Sequence, residues 1–546
     1  MSKSKLIILI GVVFLAAFLR FYQLGVNPPS LSWDEVALGY NAYSIGETGR
    51  DEFGRFLPYD YFASFGDYKP PLYVYAAVLP VKIFGLNEFA VRFPSAFFGT
   101  LTVLLTLFLV RELFPKLKNS WLPEIATFFL AISPWHIQMS RAAFEANLAS
   151  FFVVLGAMLF VRAVNKRKGI LLGLSAISFV ITFYTFNSTR VFSPLLVLGL
   201  AFYYRKDLWQ MKRWVVISAV VTILLITPLV PHLLSSEGRL RFQEVNIFTD
   251  IKVIETTNRW MVQDNNTLWS RIIHNRRVYF ALLFLEHYFH HFEGKFLFVS
   301  GDGNPKFSTQ EVGELYLFDL PFLLAGLYFL RAKKEKAAFP IIWWLLVAPI
   351  PAATARETPH ALRILDSLPT WQIITAYGFY VFLESIRERK PFIKNCLLFA
   401  VYCLLLTSVF YYLHNYYAHY PTEFSGEWQY GYKETVDTVE ELEDNYDRVV
   451  MTKNLGRPYI YFLFYKKYFP QQFWQYENQI VKEPMGFVEV QGFDKYEFRE
   501  FNEDKDSHLK KALFITSSIS VPERANILKT VRLLNGRPIL AIFDFQ

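Results

Sequence analysis

The chain has 546 residues, 53% of them hydrophobic, 18% aromatic and only 19% charged, whereas a soluble globular protein carries about a quarter charged residues. The formal net charge of +8 does not describe a nucleic-acid reader, because Lys and Arg fall in short clusters between apolar runs and form no continuous basic face. Cys396 and Cys403 lie in one apolar run, which excludes a disulfide framework and leaves them as small helix residues.

In chain order, apolar runs long enough to span a bilayer occur at about 6–24, 93–110, 121–138, 147–163, 169–186, 190–204, 214–233, 315–330, 338–353, 369–386 and 395–413. They predict an α-helical polytopic membrane protein with about eleven transmembrane helices. The run after Lys3 and Lys5 has no small-residue cleavage site behind it and reads as a retained first helix. A further apolar stretch, 70–86, opens with Lys69-Pro70-Pro71 and contains Pro80 and Lys82. If it does not cross, the clusters at 111–118, 162–168, 205–213, 331–336 and 387–394 all fall on the side of the N-terminus, as the positive-inside rule requires. It is therefore expected to lie along the outer surface as a juxtamembrane helix. This topology predicts a cell-membrane protein with a cytoplasmic N-terminus and two long outer loops, 25–92 and 234–314. Residues 1–413 form the membrane module. Residues 414–546 lose the apolar runs and predict a small extracytoplasmic α/β domain, with strands near 447–452, 512–516 and 539–543 and helical stretches at 434–445 and 521–530.

The polar residues that draw attention sit in the outer loops. Ser32-Trp33-Asp34-Glu35 reads either as a helix N-terminus capped by Ser32 or Asp34, or as a general base or metal ligand at the membrane surface. Lys69, in Tyr68-Lys69-Pro70-Pro71-Leu72, and Arg92, just before the next span, suit either lipid headgroups or the phosphate of a lipid-linked substrate. In Ser140-Arg141…Glu145, Glu145 is either a helix cap at the positive end of the dipole or a further active-site carboxylate. Arg356, His360 and Arg363, in one outer loop between very apolar runs, suggest anion binding. His287 and His291 are spaced as metal ligands on a helix, but no HExxH frame surrounds them and packing is the expected role.

The order of these features resembles the GT-C superfamily of membrane glycosyltransferases, in the branch of the protein O-mannosyltransferases and the lipid A aminoarabinose transferases (glycosyltransferase families 39 and 83). Trp33-Asp34-Glu35 matches the acidic motif of the first outer loop. Tyr68-Lys69-Pro70-Pro71-Leu72 resembles the His-Pro-Pro-Leu and Glu-Lys-Pro motifs of the two groups, and Ser140-Arg141…Glu145 resembles a later loop that carries an Asp in both. Two departures are Tyr68, in place of His or Glu, and Glu145, in place of Asp. The resemblance implies a polyprenyl-phosphate-linked sugar donor and an inverting transfer to a lipid, glycan or protein acceptor. It implies Asp34 as the base, with Glu35 and Glu145 as the other candidate catalytic carboxylates. Lys69, Arg92, Arg141, Arg356, His360 and Arg363 become the candidate substrate-binding groups. It requires no cofactor; an oligosaccharyltransferase-like alternative places a divalent metal at Asp34 and Glu35. A flippase or transporter is the non-enzymatic alternative, and it predicts ionisable groups inside the spans. The expected partners are the lipid-linked donor, the acceptor and membrane lipids, with no nucleic acid.

Overall fold

The computed structural model describes residues 2–235, 238–239, 245–482 and 488–545. The chain divides into two compact units. The first comprises Met1–Arg20, Phe98–Ser140 and Glu145–Tyr412; the second comprises Phe21–Phe97, Arg141–Phe144 and Leu413–Gln546. The C-terminal segment thus clusters with the first outer loop, and the expected boundary near 414 is only one edge of the second unit.

The first unit is helical. Among the described residues, five helices are long and apolar enough to cross a membrane: Lys3–Phe21 (α1), Glu88–Leu113, Glu145–Lys166, Lys212–Leu234 and Pro391–Glu423. Two other expected spans are split at a proline. The run at 121–138 becomes Leu122–Ile132 and Pro134–Ser140, and the run at 338–353 becomes Ala338–Val347 followed by Pro349–Ala353. The eleven runs therefore do not appear as eleven full-length helices. Helices Asp319–Ala332 and Thr370–Ile386 meet through glycines. A Cβ on Gly378 would stand 1.9 Å from the Phe322 carbonyl oxygen, and one on Gly326 2.0 Å from that of Ile374. Such small residues let backbones approach without a hydrophobic drive between helices. The protein is membrane-embedded.

The second unit begins with helix α2, Trp33–Thr48, followed by a hairpin of β1, Phe62–Ser64, and β2, Asp67–Lys69, and then helix α3, Leu72–Phe84. At 13 residues, α3 is about 20 Å long, well short of a hydrocarbon core of about 30 Å.

The C-terminal part of this unit carries a six-stranded mixed sheet. Its order is Gly492–Phe493, Tyr496–Phe498, Arg448–Met451, Ala512–Ser517, Pro538–Asp544, Asn526–Arg532. Arg448–Met451 is parallel to both neighbours. Val450, Ala512, Phe514 and Phe543 form its core on one face, with Phe501 and Phe545 packed against them. One expectation fails here. The stretch 521–530 is not helical; it leads into strand Asn526–Arg532, which pairs antiparallel with Pro538–Asp544. The turn between them holds Asn535-Gly536, with Gly536 at φ +84°, a hairpin signal that outweighs local helix propensity.

Candidate active site

The site grows from the start of α2. Ser32 caps the helix in an extended conformation, and Glu35, at the third helical position, reaches back to it; its Oε2 accepts the Ser32 backbone N–H at 3.0 Å. This is a capping box, and it separates the two adjacent carboxylates. They lie in a helical turn, not on an extended strand, so they point about 100° apart.

Glu35 turns inward. Its side chain is 1% exposed and pairs with Arg92, which is fully buried, at 2.9 Å from Nε to Oε1. Glu35 also accepts the Ala143 backbone N–H at 2.9 Å. Arg92 was expected on a substrate phosphate; the structure gives it another task. Nη1 donates to the carbonyls of Leu24 at 3.2 Å and Pro28 at 2.8 Å, and Nη2 donates to the Ser30 carbonyl and to Glu35 Oε2. With Nε on Glu35, all five guanidinium N–H groups are committed inside the protein. Arg92 and Glu35 hold the chain entering α2 in place. Arg141, also fully buried, is built in similarly: Nε donates to the Tyr416 hydroxyl at 3.0 Å and Nη2 to the Asn27 carbonyl at 2.8 Å, beside the rings of Tyr416 and Tyr417.

Asp34 turns outward. Its side chain is 50% exposed, and its Oδ1 accepts from Lys69 Nζ at 2.7 Å. Lys69 is the last residue of β2, set there by the β1–β2 hairpin, whose turn has Phe65 and Gly66 at φ +57° and +92°. Pro70 and Pro71 end the strand and start α3, so the backbone around Lys69 is stiff. Two stiff elements therefore present one ion pair with a half-exposed carboxylate.

A second carboxylate lies behind this surface. Glu52 is fully buried; its Oε1 bonds the Tyr459 hydroxyl at 2.7 Å and its Oε2 the Asn41 amide nitrogen at 2.9 Å. No cation is among these partners, and burial pushes the carboxyl up to about 8. Between the ordinary carboxyl value of 4.5 and about 8, the folded protein holds a proton that the unfolded chain releases, so stability falls as pH rises through that window. The isosteric Glu52→Gln keeps both hydrogen bonds and removes the titration. Thermal unfolding of the wild type should weaken more between pH 5 and 8 than that of the variant; parallel pH profiles would contradict the assignment.

The remaining expected residues belong to the first unit. Glu145 opens helix Glu145–Lys166. Arg356 is exposed, with Nε donating to the Asn246 carbonyl at 3.2 Å. His360 is buried against the Phe307 ring, 4.9 Å between centroids, with Nδ1 3.8 Å from Asp302 Oδ2. That Asp302 oxygen accepts the Ala361 N–H at 2.7 Å, and burial pushes its carboxyl up to about 6. Arg363 adds charge near Asp302. His287 donates from Nδ1 to the Ala355 carbonyl at 2.8 Å, and His291 from Nδ1 to the His287 carbonyl at 2.9 Å. Sequence reasoning missed Asp302, Tyr416, Tyr459 and Trp428, whose ring centroid lies 5.7 Å from the Arg92 guanidinium. The aromatic three lie in the segment 414–546, which reads as a small α/β domain, and no local motif marks them or Asp302.

The metal alternative fits these groups poorly. It needs Asp34 and Glu35 to converge, and Glu35 is buried on Arg92. Among the described residues no group of three or more His, Cys, Asp or Glu side chains could hold a metal ion.

The chain has the fold of GT-C glycosyltransferases of known structure, and its acidic pair and Lys-Pro-Pro element resemble those of the protein O-mannosyltransferases and aminoarabinose transferases. Residues 11–239 match the family model described as dolichyl-phosphate-mannose-protein mannosyltransferase. Among solved structures, ArnT from Cupriavidus metallidurans in the apo state is similar with a TM-score of 0.53 at 11% identity, covering 99% of this chain and 98% of that one. The apo oligosaccharyltransferase of Archaeoglobus fulgidus gives 0.53 at 13% identity and covers 85% of this chain; the match spans only 64% of that protein's length. In sequence, an uncharacterized protein of Aquifex aeolicus is 24% identical over 416 residues, 75% of this chain and 69% of its own. The putative mannosyltransferase YkcB of Bacillus subtilis is 32% identical over 113 residues, 21% of this chain and 15% of its own.

Proposed function

We propose that the protein is an inverting glycosyltransferase that moves a sugar from a polyprenyl-phosphate donor to an acceptor at the extracytoplasmic membrane face. The observation that carries this reading is the Asp34–Lys69 pair, 2.7 Å apart, with the carboxylate half exposed and the ammonium sheltered. Inversion needs one in-line attack, one base and positive charge for the leaving phosphate. An acceptor hydroxyl oxygen bonds to the anomeric carbon as Asp34 takes its proton. The bond from that carbon to the phosphate oxygen breaks, and the electron pair leaves with the phosphate beside Lys69. When the phosphate engages Lys69, Asp34 loses part of its ion pair and gains basicity as the donor arrives. Glu35 and Arg92 are positioning residues in this scheme. Neighbours seen with lipid phosphates lend support: ArnT bound to undecaprenyl phosphate and the Archaeoglobus enzyme with a dolichol phosphate. Within its own unit, the exposed Arg356 and the adjacent Arg363 keep their assignment as an anion-binding loop, and Glu145 keeps its assignment as a further carboxylate.

The test is donor capture by the purified protein in detergent. Lys69→Ala should weaken binding of a polyprenyl-phosphate sugar about tenfold or more, the worth of one charge-assisted contact. Transfer should persist in EDTA. Unchanged donor binding by Lys69→Ala, or complete loss of transfer on chelation, would sink the reading.

A further inference from the structure

The second long loop expected outside the membrane, 234–314, contains a helical hairpin whose two outward faces differ. Helix Ile251–Gln263 is joined to helix Arg276–His290 through the short helix Leu268–Ile273. Aromatic pairs close the inside of the hairpin: Phe248 with Phe280 and Trp260 with Tyr279, each 5.7 Å between ring centroids. Outward, the first helix shows Glu255, Asn258 and Arg259, all exposed. The second shows Val278, Leu282, Leu285 and Phe289, which share one helix face and are 42–62% exposed. The connection adds Leu268, Trp269, Ile272 and Ile273, 47–79% exposed. An apolar surface of this extent outside the expected spans marks an interaction site.

Two observations identify what covers it. The Tyr288 hydroxyl donates to the Leu346 carbonyl at 2.7 Å. Leu346 belongs to helix Ala338–Val347, within an expected span, and its own side chain is exposed. The apolar stripe therefore ends at the level of a residue expected to face acyl chains. At the other end of the stripe stand Arg271, Arg276 and Arg277, all exposed, whose charges complement lipid phosphates. The base of the hairpin is fixed. The Ile247 N–H donates to the Thr354 carbonyl at 2.8 Å, the Arg356 N–H to the Val245 carbonyl at 2.9 Å, and His287 Nδ1 to the Ala355 carbonyl at 2.8 Å.

We propose that this hairpin docks on the lipid bilayer. Val278, Leu282, Leu285 and Phe289 lie among acyl chains at the outer headgroup boundary, together with the apolar connection. Arg271, Arg276 and Arg277 reach up from it to the phosphates of anionic phospholipids. Helix Ile251–Gln263 faces water above them. This contact is independent of the donor and acceptor chemistry.

The test places single nitroxide labels on the full-length protein, with Cys396 and Cys403 replaced by Ala, through Leu282→Cys, Ile272→Cys or Asn258→Cys. In nanodiscs of mixed phosphatidylcholine and phosphatidylglycerol, the labels at 282 and 272 should be open to dissolved oxygen and shielded from a water-soluble nickel chelate. The label at 258 should show the reverse. In phosphatidylcholine alone, or with Arg271, Arg276 and Arg277 all replaced by Gln, nickel access at 272 should rise severalfold. Nickel access at 282 equal to that at 258 would overturn the proposal. A label at 282 shielded from both reagents and broadened by a neighbouring label would overturn it too, assigning the face to a second copy of this chain. Access at 272 that ignores both the anionic lipid and the arginines would overturn the headgroup contact.

Discussion

Replacing Asp34 with Asn is expected to lower turnover by about 10²–10⁴-fold, the usual loss when a general base is removed, while donor binding stays level or tightens. The asymmetry follows from the geometry. Asn keeps the shape of Asp and an oxygen for Lys69 Nζ, now 2.7 Å from Oδ1, so the loop is undisturbed. It accepts no proton, so the acceptor hydroxyl is not activated. With its counter-charge gone, Lys69 is more available to a phosphate. A purely structural Asp34, acting only as part of a helix N-terminus, would give the reverse pattern: a stability loss of about 1 kcal/mol with turnover nearly intact. Initial rates at saturating donor, with binding scored separately, distinguish the two.

Replacing Arg92 with Met is expected to destabilise the protein by about 3–5 kcal/mol, because it strands the buried Glu35 charge without its partner. Arg92 is fully buried, and its loss also leaves the carbonyls of Leu24, Pro28 and Ser30 without their donor. Glu35→Gln should cost a similar amount by leaving the guanidinium unpaired. The double variant Glu35→Gln/Arg92→Met should lose less than the sum of the singles, since no lone charge remains. Thermal unfolding in detergent reads all three. Additive losses, or an Arg92→Met protein as stable as the wild type, would contradict the pairing. A phosphate-binding Arg92 would instead show normal stability with impaired donor capture.

The contrast between these two variants marks where the sequence was legible. The run Ser32-Trp33-Asp34-Glu35 stood out because two carboxylates just beyond a membrane span need a reason. The capping and catalytic readings looked like rivals. In the structure Glu35 completes the capping box, while Asp34 is half exposed and paired with Lys69. Sequence spacing could not show this, because it depends on where the helix starts, and a shift of one residue rotates every side chain by about 100°. Arg92 was legible as important but not as buried. Its partners Leu24, Pro28 and Ser30 contribute backbone carbonyls, which leave no trace in residue type. The 70–86 segment was read from charge bookkeeping that involves residues far along the chain, and it folds as the 13-residue α3. The C-terminal strands near 447–452, 512–516 and 539–543 were visible as β-branched and aromatic runs. The stretch 521–530 was misread because its pairing with Pro538–Asp544 is decided by the Asn535-Gly536 turn beyond it.

The stereochemistry of transfer tests the central claim most directly. One exposed base and one sheltered cation describe a single in-line displacement, without a covalent sugar–enzyme intermediate. A purified preparation should be given a panel of polyprenyl-phosphate sugars of known anomeric configuration, and the configuration of the first-formed product read by NMR. The account predicts a product of opposite anomeric configuration to the donor, formed by the wild type and suppressed in Asp34→Asn. A product that retains the donor's configuration would contradict it.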